Sequence, residues 1–372
     1  MRGHPRDSLL QEIFRRSGKA VDRLLEHVEG CTRCRQRVAQ LKEHERVVPL
    51  RARREDYGPA IDRAFEAFQL RQATLDIERS EAPALLSRLL GLTPERQRLL
   101  LNNSQRFQTW GLLELLIARG KEETFTDPEH AEEILRLSLD ISGRLPSSFY
   151  GSGRIEDMRA RSWGYIANAR RARRDLSAAE EAFEEAFLHL ASGSEDPLER
   201  AVLWDLEASL RRSQKDFGRS LELSRRAISV FRRVGEPHLL GGAMIKLSTI
   251  YSNLRKPAQA ASALYKALGL IDPVRDPRLA LCALNNLVDD LVDAGRFLSA
   301  RRVFQQARPL YRRFPTPIMS IGSRLLEAKI AYGLGQPGAE QLLSDAVALL
   351  YSIEWPGLDE ALQEVASLKA MR

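Results

Sequence analysis

The sequence has few cysteines and no long apolar run. Its 372 residues include only 3 Cys, too few for a scaffold held by disulfides. No stretch approaches the roughly 20 consecutive apolar residues of a membrane-spanning helix, so we expect a soluble chain with no membrane partner. The segment MRGHPRDSLLQEIF lacks the apolar region of a secretory signal, which predicts a cytoplasmic location with reduced thiols. With 44% hydrophobic residues, the chain is too apolar to be disordered.

Sequence motifs of common enzymes are also missing. We find no G-x-S-x-G and no Walker A loop. The carboxylates Asp289, Asp290 and Asp293 have no nearby His, a pattern more typical of a polar face than of an acid–base or metal site. Cys282, in the apolar segment RLALCALNNL, is interpreted as a small core residue. We therefore expect no enzyme activity and no small-molecule substrate.

The net charge of +7 is concentrated at the N-terminal end. Residues 1–56 hold 14 Lys/Arg and 9 Asp/Glu, a surplus of +5 that leaves +2 for the other 316 residues. Such a surplus can face nucleic acid or an acidic protein surface. The segment Leu50–Glu55 has no interleaved aromatic residues for base stacking, which favours a solvated basic linker. Nucleic acid is therefore an unlikely partner, because this surplus would give mainly salt-sensitive, non-specific contacts.

Most of the chain repeats with a period of about 40 residues. Small residues recur on the second helix of each unit, and one position of this ladder, spaced 41, 40, 40 and 39 residues apart, is occupied by Ala186, Ala227, Ala267, Ala307 and Ala346. Two antiparallel helices approach closely only where side chains are small. A period in this range indicates a helical solenoid, and no period-2 segment of strand length stands out.

Residues 159–350 resemble the tetratricopeptide repeat family. In SWGYIANARRARRDLSAAEEAFEEAF, the small and large positions of the family are filled by Trp163, Ala167, Leu176, Ala179, Phe183 and Ala186. In DAGRFLSARRVFQQA they are filled by Gly295, Phe297, Ala300, Phe304 and Ala307. The unit is about six residues longer than the usual ~34, and Arg170 and Lys215 replace a common aromatic residue and a common glycine. The resemblance implies a right-handed α-solenoid of helix pairs.

The most specific chemical motif is the H-x3-C-x2-C formed by His27, Cys31 and Cys34. A helix containing His27 would end near Gly30, and the two cysteines would open the next helix. His4 lies 23 positions before His27 and can complete a His2Cys2 set for one structural zinc ion. A metal would stabilise a segment too short to build a sufficient core. The alternative interpretation is a pair of small buried thiols beside a solvated His27.

Residues 4–45 resemble the zinc-binding anti-sigma factor domain family. His27, Cys31 and Cys34 match its motif, and His4 stands where the family more commonly has Cys. The resemblance implies that helices around the metal bind an RNA polymerase sigma factor and block its polymerase or promoter contacts. His44 is a poor substitute for His4, because ten helical residues after Cys34 span about 15 Å. A weaker interpretation is a redox switch, in which oxidation of both cysteines ejects zinc.

The sequence therefore predicts an all-α protein in five parts. These are a zinc-stapled anti-sigma-like domain (1–45), a basic linker (46–60), a helical region that can include divergent helix pairs (61–158), the tetratricopeptide-like repeats (159–350) and a C-terminal capping helix (351–372). The leading hypothesis is a transcription regulator whose zinc module binds a sigma factor and whose array binds a protein partner. The alternative is a scaffold or adaptor in which the zinc site is purely structural.

Overall fold

The fold is helical throughout the part of the chain that the structure describes. The computed structural model describes residues 4–14, 19–44, 54–352 and 358–370, and it contains no strand among them. This confirms the predicted all-α class. Within the same residues, none of the helices is long and apolar enough to cross a membrane. Residues 46–53 of the predicted linker lie outside the described residues.

The chain divides into two compact units, Met1–Gln72 and Ala73–Arg372. The first unit contains α1 (Asp7–Leu10), a 3₁₀ turn (Gln11–Phe14), α2 (Lys19–Gly30), α3 (Thr32–His44) and the start of α4 (Arg54–Leu90). The boundary between the units falls inside α4. This helix begins within the range 46–60 that the sequence assigned to a linker.

The second unit is a succession of helices, most of them between 10 and 21 residues long. After α4, its described residues form α5 (Pro94–Asn103), a 3₁₀ turn (Gln105–Phe107), α6 (Trp110–Glu123), α7 (Pro128–Ser142), α8 (Ser147–Tyr150), α9 (Ser152–Ala172), α10 (Leu176–Ala191), α11 (Pro197–Ser213), α12 (Phe217–Val234), α13 (Pro237–Asn253), α14 (Pro257–Leu268), α15 (Pro277–Asp293), α16 (Phe297–Arg313), α17 (Pro317–Gly333), α18 (Ala339–Tyr351) and α19 (Leu358–Ala370).

Small buried residues join the helices into pairs. The pairs from α9/α10 to α17/α18 follow one another along the chain, and the pair α6/α7 packs against α9 ahead of them. Ala186, Ala227, Ala267 and Ala307 are all fully buried. At Gly120 of α6, an added Cβ would lie only 2.5 Å from Cγ of Leu135 on α7. The close approach that the ladder predicts therefore extends upstream of residue 159.

The turn inside each pair contains a residue in the left-handed backbone conformation, two positions after the end of the first helix. These residues, spaced 41, 40, 40 and 40 apart, are Arg174 (φ 66°), Lys215 (φ 64°), Arg255 (φ 56°), Gly295 (φ 69°) and Gly335 (φ 65°). The conformation costs a residue other than glycine roughly 1–2 kcal/mol. The left-handed position thus recurs in all five units, although three of them carry a basic residue instead of glycine. The turn before α18 is longer and has a second left-handed residue, Gly338.

Replacing Lys215 with glycine should stabilise the protein. We expect Lys215→Gly to raise the free energy of unfolding by about 1 kcal/mol, because glycine adopts positive φ without a steric penalty. Urea denaturation followed by helical circular dichroism measures this. The control is Lys266→Gly, which also removes one exposed lysine but within α14, where glycine should destabilise the helix. Equal effects of the two substitutions would contradict the prediction.

Candidate functional site

Four potential metal ligands converge in the first unit. His4 precedes α1, His27 lies in the last turn of α2, and Cys34 lies in the first turn of α3. α2 ends at Gly30, where the sequence predicted the end of a helix, and Cys31 occupies the break before α3. This break lets the chain turn within a few residues, which brings both thiols to the histidines.

The distances between the ligand atoms suit a four-coordinate metal ion. Sγ of Cys34 lies 3.4 Å from Nδ1 of His4 and 3.4 Å from Nε2 of His27, and Sγ of Cys31 lies 3.5 Å from Nδ1 of His4. One ligand atom from each of the four residues lies within 4.8 Å of all the others. In a tetrahedral site with bonds of about 2.3 Å to sulfur and 2.0–2.1 Å to nitrogen, neighbouring ligands are about 3.6 Å apart. The group could therefore bind a metal.

The two thiols differ in environment. Cys34 is fully buried, and this burial, followed by its contact with Cys31, raises the pKa of its thiol. The pKa of the Cys31 thiol is lowered, chiefly by a hydrogen bond from the backbone N–H of Cys34. Metal binding requires both sulfurs as thiolates. Without a metal, the fold therefore stabilises the thiolate of Cys31 relative to the thiolate of Cys34.

Polar contacts hold the ligand-bearing segments together. Arg37 of α3 forms an ion pair with Asp7 and donates from Nη1 to the backbone oxygen of Pro5 at 3.4 Å, next to His4. Arg35 donates from Nη2 to the backbone oxygen of Glu29 at 2.7 Å, at the end of α2. α3 therefore contacts the segments that carry both histidines.

Two other sequence candidates lie elsewhere. His44 is the last residue of α3, ten residues after Cys34 on the same helix, and its side chain lies outside the described residues. The third cysteine, Cys282, is exposed, so its interpretation as a core residue is wrong. The buried face of α15 is formed by Leu281, Leu287 and Val288, and Cys282 lies outside it.

One carboxylate of α15 and one of α19 bind a buried lysine that the sequence analysis missed. Lys329 of α17 is 1% exposed, and its Nζ lies 3.1 Å from Oδ1 of Asp289 and 2.6 Å from Oε2 of Glu364 on α19. Lys329 follows Asp289 by 40 residues, which is one repeat. The repeat register was the signal that could have placed the two residues side by side. The C-terminal helix closes this charge cluster.

Two carboxyl groups of the cluster have strongly raised pKa values. Burial raises the pKa of Asp290 to about 7, against a hydrogen bond from Ser252 at 2.6 Å that favours its ionised form. Burial, followed by the charge of Asp289, raises the pKa of Asp293 to about 6. The second oxygen of Asp290, Oδ2, is buried without a hydrogen-bond partner. Near neutral pH, the Asp290 carboxyl group is therefore close to half protonated.

Asp290→Asn should stabilise the protein more at pH 8 than at pH 5. The folded-state pKa of about 7 lies above the ordinary value, so the wild type loses stability as the pH rises towards 7. Asn carries no charge at either pH. The gain in the free energy of unfolding over the wild type should therefore be about 1–3 kcal/mol larger at pH 8 than at pH 5. Urea denaturation at the two pH values measures this. Asp289→Asn is the control, because it removes a partner of Lys329 and should destabilise the protein at both pH values. A gain for Asp290→Asn that does not depend on pH would contradict the prediction.

An open groove of about 650 Å³ lies in the array between α12, α13 and α14. Its lining combines apolar side chains with cations that extend from the neighbouring helices. Met244, Leu247 and Tyr251 come from α13, Arg225 and Arg232 from α12, and Lys266 from α14. The groove has the mixed character of a surface that binds a polypeptide.

No protein-family model matches the chain, and no curated protein sequence matches it. Several solved structures do match the chain. The Rap protein in complex with competence and sporulation factor matches 69% of this chain and 69% of its own, with 14% identity and a TM-score of 0.50. BtubC (BKLC) from P. vanneervenii matches 65% of this chain and 92% of its own, with 16% identity and a TM-score of 0.46. PilF from Pseudomonas aeruginosa matches 68% of this chain and 97% of its own, with 18% identity and a TM-score of 0.42.

The likeness to Rap shows that this chain has a tetratricopeptide-like solenoid fold. It confirms the repeat architecture predicted from the ladder of small residues. The resemblance of residues 4–45 to the anti-sigma domain family is supported by no family model.

Proposed function

We propose that the chain is a protein-interaction adaptor, in which a zinc ion holds the N-terminal module together and the helical array binds a protein partner. The observation that carries the proposal is the stack of helix pairs from α6 to α18. Helical solenoids expose extended surfaces that hold peptides or partner helices. From the sequence alone, sigma-factor binding is the leading hypothesis and the adaptor is the alternative.

Two further observations support an interaction role for the array. The groove between α12, α13 and α14 offers apolar and cationic side chains in one open surface. The Rap protein, which shares the fold, is in complex with competence and sporulation factor. We propose by analogy that this array also binds a polypeptide.

The proposal assigns no reaction to the chain. In the described part of the array, buried or half-buried charges link neighbouring helices, as in the pairs Arg161–Glu199, Arg170–Glu132 and Lys329–Glu364. Charges used in this way stabilise the packing of the helices, and they leave no free acid–base pair at these positions.

The ligand set of the N-terminal module supports zinc. Two imidazoles and two thiolates are common ligands of structural zinc sites, and four protein ligands leave no open position for catalysis. The apolar core around the site is small, with Leu10, Val28 and Cys34 as its buried members. Since so small a core gives little stability, metal binding would supply much of the folding free energy of the module.

We expect about one zinc ion per purified chain, because the four ligands form a single site. Cys34→Ser and His27→Ala should each abolish stoichiometric zinc, as measured by plasma mass spectrometry after dialysis. Cys282→Ser is the matched control, since it removes the exposed cysteine of α15 and should keep the metal. A metal-free chain in which residues 4–44 still give dispersed amide resonances would contradict a structural role for zinc.

The second candidate function is sigma-factor binding by the N-terminal module. The observation that favours it is the convergence of His4 with the H-x3-C-x2-C motif at the junction of α2 and α3. This hypothesis differs from the adaptor proposal in one respect that can be measured. It places the partner on the metal-bound module, so partner binding should require the metal ligands.

Affinity capture with the full chain separates the two functions. As an adaptor, the tagged wild type should retain a protein from a lysate of its source organism. A Cys31→Ser/Cys34→Ser chain should retain the same protein, because the array has its own hydrophobic core. Quantitative mass spectrometry of the two eluates measures this. Retention of a sigma factor by the wild type alone would favour the second candidate, and no specific protein in either eluate would contradict the adaptor proposal.

A further inference from the structure

Four basic residues at the C-terminal ends of α9 and α11 have no acidic partner among the described residues. Arg171 and Arg212 lie in the last turns of these helices, and Arg174 and Lys215 lie in the turns that follow them. We call these three arginines and one lysine the basic edge. The two pairs occupy equivalent positions, 41 residues apart, and α9 packs against α11. The edge is therefore one feature that two successive repeat units build together.

Other basic residues on the same helix ends are neutralised by carboxylates. Arg170 and Arg173 both bind Glu132, and Arg211 binds Glu180 and Glu207. The residues of the basic edge differ from these neighbours. Within the part of the chain that the structure describes, Arg171 has only the neutral partners Asn168 and Ser213 and the ring of Phe125, and the other three side chains make no hydrogen bond or ion pair.

The two half-buried arginines of the edge share an unfavourable environment. Burial, followed by the charge of Arg212, lowers the pKa of Arg171 to about 10. Burial also lowers the pKa of Arg212. Both guanidinium groups remain charged at neutral pH, because even a pKa of about 10 lies far above it. An anion placed between them would relieve this repulsion and restore charge-assisted hydrogen bonds.

Attraction to the helix dipole explains the position of only two of the four basic residues. Arg171 and Arg212 lie in the last turns of their helices, where the partial negative charge of the helix end favours cations. Arg174 and Lys215 lie beyond those helix ends, at φ 66° and 64°, where glycine would be less strained. The next equivalent turn also carries a basic residue, Arg255 at φ 56°, but this residue lies near the acidic group of Asp293, and the last two turns carry Gly295 and Gly335. Arg174 and Lys215 thus adopt a conformation that costs energy without an acidic neighbour.

We propose that the basic edge binds an acidic segment of a partner protein through its side-chain carboxylates. This inference rests on the proposed adaptor function and specifies the chemistry of the partner. Neighbouring packed helices are about 8–10 Å apart, and an extended chain advances about 3.3 Å per residue. An acidic residue at every third position would therefore match the spacing of the two turns.

Charge favours a polypeptide over nucleic acid. Residues 57–372 carry a net charge of only +2, so the array lacks the broad positive field that attracts a polyanion. A nucleic-acid complex commonly neutralises about 6–10 phosphates, whereas the edge offers four cations. The ring of Phe125 is 73% exposed beside Arg171 and gives the edge an apolar contact for a neighbouring side chain.

Fluorescence anisotropy with the full chain tests the proposal. The probe is a labelled dodecapeptide with Glu at every third position, and the comparison peptide carries Gln at the same positions. We expect the wild type to bind the Glu peptide, and Arg171→Gln/Arg212→Gln to weaken binding about tenfold or more through the loss of charge-assisted hydrogen bonds. Arg174→Gly/Lys215→Gly should weaken binding while raising the urea midpoint, which separates binding from folding.

The control is Arg301→Gln/Arg302→Gln, which removes the same charge from two exposed arginines of α16 and should leave binding unchanged. An equal loss in this control, equal binding of the Gln peptide, or no binding by the wild type would overturn the proposal. Tighter, edge-dependent binding of a twelve-nucleotide single-stranded DNA would also overturn it. If the peptide fails but the chain still retains a protein from the lysate, this inference fails while the adaptor function stands.

Discussion

The close approach of antiparallel helices at small side chains is the constraint on which the array depends. It fixes the period, because each unit must return a small residue to the same interface after 39–41 residues. The same packing also determines which polar side chains contact each other. The contacts between neighbouring units recur at about one period, as in Glu132–Arg170, Asp205–Lys246 and Asp289–Lys329, with separations of 38, 41 and 40 residues. The ion-pair pattern is therefore a consequence of the same packing that sets the repeat.

The N-terminal module follows a different principle. Its described helices bury only a few apolar side chains, and Cys34 is both a member of that core and a candidate metal ligand. A hydrophobic interface tolerates gradual change, whereas four ligand atoms must meet at one point. The break between α2 and α3 after Gly30 is what allows this meeting. The candidate ligands of the module are thus brought together by local geometry, whereas the packing of the array is distributed over many residues.

The sequence allowed the period, the helix pairs and the four converging residues to be predicted, because each leaves a regular local spacing. It did not reveal Lys329, since a buried charge has no pattern of its own and is identified only by the partners that neutralise it. Cys282 was misassigned because its apolar neighbours suggested burial, although only one face of α15 is covered. The left-handed conformation of Lys215 was hidden for a third reason, namely that a basic residue replaces the glycine that normally marks such a turn.

The near-neutral charge of the array conceals two opposite local imbalances. Around α15, carboxylates exceed cations, and this excess is relieved by protonation, because the pKa of Asp290 is raised to about 7. At the turns after α9 and α11, cations exceed carboxylates. Arginine cannot relieve that excess by losing a proton near neutral pH, since even the lowered pKa of Arg171 remains about 10. Within the described residues, no carboxylate neutralises these side chains. An anion from outside the chain would balance their charge, which is why we propose the basic edge, and not the acidic cluster, as the surface that binds an acidic partner.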